Sequence, residues 1–163
     1  MSARNARRSA AAVALLVLGT AGAAAAQTAT QVVTFQVTAV NVISFTGAPS
    51  LTINSATAGS NPSVSNSTAT WAVTTNQTGA KITASLSAAM PAGLTLSANL
   101  TAPSGATSAG STALGTAAVD LVTSVTKVAA GSLGVTYTLD AAPTAGVVAS
   151  ATRTVTYTIT GGT

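Results

Sequence analysis

The chain has 163 residues, 47% of them apolar, with six Lys or Arg against two Asp and no His, Cys or Glu. A Ser-His-Asp triad needs histidine, a zinc site needs Cys, His or clustered carboxylates, and strong calcium sites use several carboxylates, so those chemistries have little to build on. The charge of +4 is misleading, because three of the cations (Arg4, Arg7 and Arg8) sit in the first eight residues.

Those residues open a three-part leader. A basic start, "MSARNARR", precedes an apolar run, "SAAAVALLVLG", and then small residues, "TAGAAAAQ". That order is the pattern of a secretory signal peptide. The apolar run is roughly ten residues, half of the twenty or so that span a bilayer. The Ala24-x-Ala26 pair places cleavage between Ala26 and Gln27, giving a leader at 1–26 and one domain at 27–163. Arg7 and Arg8 lack the bulky residues that would follow a twin-arginine signal.

The remaining chain holds Lys81, Lys127 and Arg153 against Asp120 and Asp140. Three scattered cations cannot form a nucleic-acid stripe. The expectation is no nucleic-acid partner, no metal, no cofactor and no membrane span after processing. Without cysteine an exported chain has no disulfide staples, so sheet hydrogen bonds and apolar burial must hold it. Low charge also weakens repulsion between copies and favours self-association.

After the leader, period two dominates. Val33, Phe35, Val37, Ala39, Ile43 and Phe45 share one face of the run 31–45, broken only by Asn41. Fully extended, positions 33 to 45 would reach roughly 40 Å, long beside typical strands of about 17–20 Å. A bend at Asn41 would divide the run into two strands of one domain. A loosely held first half would instead be a candidate assembly strand, carrying Val33, Phe35, Val37 and Ala39 into the sheet of a neighbour. Further strands are expected near 50–54, 69–76, 81–87, 93–101, 111–115, 118–123, 133–140 and 150–160, on alternation such as Ile82, Ala84, Leu86 and Leu94, Leu96, Ala98, Leu100. Residues 117–128 fit either a strand with a turn or a short helix. Loops rich in Gly, Pro, Asn and Ser separate the runs, at 54–63, 76–80, 90–93, 102–111, 129–132 and 141–146. Eight or nine short strands with regular turns indicate a single Ig-like antiparallel β-sandwich.

"VTYTL" at 135–139 returns as "VTYTI" at 155–159, which suggests neighbouring strands of one sheet. The threonines at 152, 154, 156, 158 and 160 suit a wet strand face, being β-branched with a hydroxyl for water. The alternative is a flat ligand-binding threonine array, which Thr136 and Thr138 would extend if 133–140 pairs with 150–160. Trp71, Tyr137 and Tyr157 fall on apolar faces, as core residues whose tyrosine hydroxyls reach the rim. "SVTK" at 124–127 matches S-x-x-K, but that chemistry requires a helix and partner motifs absent from the chain. Three N-x-S/T triplets, at Asn66, Asn76 and Asn99, are what a Ser- and Thr-rich chain contains by chance.

The start "TQVVTFQVTAVNVISFTG", followed by "SLTINSATAG", and the close "PTAGVVASATRTVTYTIT" resemble small secreted bacterial β-sandwich proteins. The close also looks like the spore-coat-protein-U and fimbrial-adhesin group, although the cysteine pair and L-x-F-G stretch usual in that group are missing. The resemblance implies an Ig-like sandwich assembled at the cell surface, and it implies no catalytic residue. The expected protein is a non-enzymatic, secreted or surface-displayed structural subunit that associates with itself or other surface proteins. The alternative is an extracellular glycan- or ligand-binding module.

Overall fold

The structure, a computed structural model, describes residues 25–163. The expected leader falls almost wholly outside them; Ala26 and Gln27 are exposed and belong to no strand or helix. Residues Val37–Thr163 form one compact unit.

Among the described residues nine strands build two antiparallel sheets: β1 (Asn41–Thr46), β2 (Ser63–Thr75), β3 (Ala80–Leu86), β4 (Leu94–Leu100), β5 (Thr107–Ser108), β6 (Thr112–Ala113), β7 (Val119–Val125), β8 (Val128–Ala141) and β9 (Val155–Thr160). The first sheet runs β1-β2-β8-β4-β6 and the second β5-β7-β3-β9. One apolar core lies between them. Trp71, Val73, Leu100 and Val135 enter it from the first sheet; Ile82, Leu121, Val122 and Val125 enter from the second. The alternation expected for β3, β4 and β8 is therefore the alternation that buries them, and the all-β sandwich holds.

Several elements differ from the sequence reading, each for a local reason. β2 begins at Ser63, six residues before its expected start, and pairs with β8 as far as Asp140. Its polar "SNST" stretch carries a bulge between Asn66 and Ala69, where Asn66 Oδ1 accepts the Thr68 amide at 3.0 Å. β8 likewise absorbs the expected loop 129–132, with Ser132 at φ 56°. Residues 117–128 resolve into β7 and a crossover to the opposite sheet. The S-x-x-K match spans the end of β7 and that crossover, with Ser124 at φ 60° and Lys127 at φ 41°, so no helix sets the serine beside the lysine. The segment 50–54 pairs with nothing, although Leu51 and Ile53 are half-buried.

The internal echo is not a pair of neighbours. β8 pairs with β2 and β4, while β9 pairs only with β3 in the other sheet. Similar sequences arise because both strands present one face to the same core. Thr136 and Thr138 therefore cannot extend the threonine row of β9. Thr156 and Thr158 are exposed opposite Ser85 and Thr83, as the wet face of an edge strand should be.

The chain enters and leaves the sandwich at one turn. Asn76 N donates to Val40 O at 3.2 Å, and Thr78 exchanges two backbone bonds with Thr163, at 2.9 and 3.2 Å.

Candidate functional site

The expected assembly strand is not a strand in this structure. Residues 25–40 carry no secondary structure. Val33, Phe35 and Val37 are 71%, 89% and 81% exposed, and Ala39 is exposed too. Fully burying a large apolar side chain is worth about 1.5–3 kcal/mol, so three such residues in water represent a substantial unused driving force.

What separates this segment from β1 is a polar clamp. The Asn76 side chain accepts from Val40 N at 2.8 Å and donates to Thr38 O at 2.7 Å. Thr75 Oγ1 donates to Asn41 Oδ1 at 2.6 Å. The Asn76 amide reproduces a strand partner's donor and acceptor over one short stretch, and β2 offers nothing beyond it. Asn41, the one polar break in the alternating face, is where the strand starts. The sequence offered no sign of the role of Asn76, which sits in a turn cluster.

The flank of the sandwich where β1 and β9 are the edge strands divides into two halves. One half is closed by aromatic rings. Phe45 of β1 stacks on Trp71 with ring centroids 5.9 Å apart and on Tyr157 of β9 at 3.8 Å, both near-parallel at 13°. Trp71 is buried, with Nε1 donating to Thr101 O at 3.1 Å. The Tyr137 and Tyr157 hydroxyls bond to each other; they do not end at a wet rim. Burial raises the pKa of both. The neighbouring hydroxyl raises Tyr157 further, whereas for Tyr137 it partly opposes the rise.

The other half is open. Beyond β1 the chain at 50–54 continues beside the first half of β2, held by Asn66 Nδ2 donating to Ser50 O at 3.2 Å. Before β9 the chain at 147–153 leads in along the second sheet, meeting the chain just past β3 at Ser87, whose amide donates to Thr154 O at 2.9 Å. Between them lies a cavity of about 540 Å³ lined chiefly by Leu51, Ile53, Met90, Leu94, Leu139 and Val148. Arg153 is the one ionisable residue on its wall, and its guanidinium is occupied by the carbonyls of Ala89 at 3.0 Å and Thr152 at 2.8 Å. The wall depends on Gly93, at φ +79°. A Cβ there would meet Ala145 N at 2.7 Å, and its carbonyl accepts Ala142 N at 2.7 Å. A left-handed φ in tight contact is a position only glycine fills without strain.

The other singled-out residues stay apart. Asp120 pairs with Lys81 at 3.0 Å on the outer face of the second sheet, while Asp140 is exposed at the end of β8 in the first. The two carboxylates form no shared site. Sequence reasoning missed the cavity because its walls come from separate loops, most with no pattern of their own. The expected strand at 50–54, which holds Leu51 and Ile53, was the single legible trace.

Set against known proteins, the chain matches no family model, no curated relative and no solved structure.

Proposed function

We propose that this chain is an exported, non-enzymatic structural subunit that self-associates by giving residues 31–37 to the sheet of another copy. The observation that carries this reading is the exposure of Val33, Phe35 and Val37 on an alternating segment that runs straight into β1. Alternation with β-branched and aromatic residues suits a strand, and a strand without a partner leaves a row of backbone donors and acceptors open. Adding such a segment to a sheet supplies backbone bonds and apolar anchors together. The low charge of the chain opposes this association little. The leader pattern and the resemblance to surface-assembled sandwiches support export and display.

The glycan-binding alternative gains less. Such modules present aromatic platforms, whereas no aromatic side chain lines the cavity, and Trp71 and Tyr137 are buried.

Size-exclusion chromatography with light scattering and electron microscopy of the chain from Gln27 test the proposal. Concentration-dependent oligomers are expected, and Phe35→Asp should reduce them strongly while leaving the melting temperature nearly unchanged. A parent chain that stays monomeric at high concentration would refute it.

A further inference from the structure

We infer that the open half of the seam is the receiving site for residues 33–37 of a second copy, so that copies join head to tail. This rests on the donor reading above and adds the acceptor to it.

Three features of the seam fit a strand. Neither bank belongs to a sheet: no backbone–backbone hydrogen bond reaches 51–54 or 147–153 among the described residues, and side chains take only Ser50 O and Thr152 O. The first bank, 50–54, is five residues long, and an added strand of equal length would span about 17 Å. Residues 33–37 are five residues with Val33, Phe35 and Val37 on one face. The floor offers Leu94, Leu139 and Met90 to those side chains, the segment is uncharged, and the one charge on the cavity wall, Arg153, already donates to two carbonyls. The free edge of β1 is a poorer receiver, because Phe45, Trp71 and Tyr157 already fill the seam beneath it.

The occupant must come from another copy. Thr38 is held by Asn76, just past the last residue of β2. The cavity lies at the other end of that strand, where Pro62 lines it. β2 has 13 residues, a length of roughly 40 Å. Residue 33 lies five residues from Thr38 and can extend at most about 17 Å from it. A chain therefore cannot fill its own seam with these residues. A donor at one pole and an acceptor at the other, joined head to tail, make a heterologous contact that yields a ring or an open filament.

The natural absence of cysteine gives a clean test. Full-length chains from Gln27 carrying Phe35→Cys are mixed with chains carrying Ile53→Cys and oxidised mildly. A covalent dimer linking positions 35 and 53 is expected, and a chain bearing both changes should give a ladder of covalent oligomers on a non-reducing gel. Val42→Cys, on the exposed edge of β1, replaces Ile53→Cys as the control and should link at least fivefold less. A strong link from 35 to 42, or oligomers that form without any link from 35 to 53, would overturn the seam as receiver while leaving the donor reading standing. A parent chain that is monomeric in the same buffer would overturn both.

Discussion

Residues 31–37 and 41–46 carry the same alternation, yet one is bare and the other is built into a sheet. Phe45 lies between Trp71 and Tyr157; ten residues earlier, Phe35 is 89% exposed. The residue type, the period and the flanking β-branched residues are alike in both. The difference is supplied by other parts of the chain: β2 runs alongside the second stretch and ends, at Thr75 and Asn76, where the first begins. Alternation specifies which face of a strand is apolar. It does not specify whether a partner strand is long enough to cover it.

That contrast can be broken most sharply at the two phenylalanines. Phe45→Ala should cost about 3 kcal/mol in urea unfolding, the low end for an aromatic truncation because the ring is only partly buried. Phe35→Ala, measured at concentrations where the protein is monomeric, should change stability by less than about 0.5 kcal/mol. Equal losses would mean that the segment packs on its own domain after all.

Asn76→Ala should move the boundary itself. It removes both side-chain bonds to residues 38 and 40 while leaving the backbone bond from Asn76 N to Val40 O. A loss of about 1–2 kcal/mol is expected. Hydrogen exchange at Val40 should accelerate, with protection in the middle of β2 retained. Unchanged exchange there would show that the clamp does not set where β1 begins.

The closed half of the seam should have an alkaline signature. An unfolded tyrosine titrates near pH 10, and both Tyr137 and Tyr157 have raised pKa values in the fold. Above about pH 10 the unfolded chain therefore gives up protons that the folded chain keeps. Stability is full below that pH and falls above it. Tyr157→Phe should cost about 1 kcal/mol at neutral pH and flatten the alkaline decline. An unaltered alkaline slope would separate the decline from this pair. The smallest effect belongs to Asp120→Asn, because its ion pair with Lys81 is about half exposed. Less than about 0.5 kcal/mol is expected, fading further in salt.

The sandwich was legible wherever one strand face met the core, as in Ile82, Ala84 and Leu86 or Leu96, Ala98 and Leu100. Legibility failed where composition imitates a loop. Ser63 to Thr68 is polar on a strand edge, and Gly131 with Ser132 bends a strand without ending it. It failed again for the repeated "VTYT", because two strands facing one core from opposite sides look like neighbours in sequence. Of the candidate site, the apolar row at 33–39 was visible and its lack of a partner was not. The acceptor cavity was hidden, since Leu51, Met90, Leu139 and Val148 come together only after the sheets are assembled.

One turn, at Asn76 to Thr78, receives both the chain entering at Val40 and the chain arriving at Thr163. The strand order is therefore close to circular: a short linker could join the two ends of the sandwich, and the chain could be reopened at 54–56, which no backbone bond holds, with every strand pair kept. Such a permutant would release the segment at 31–37 from its place ahead of β1, making the donor a cassette that can be moved to another entry point while the nine strands stay as they are.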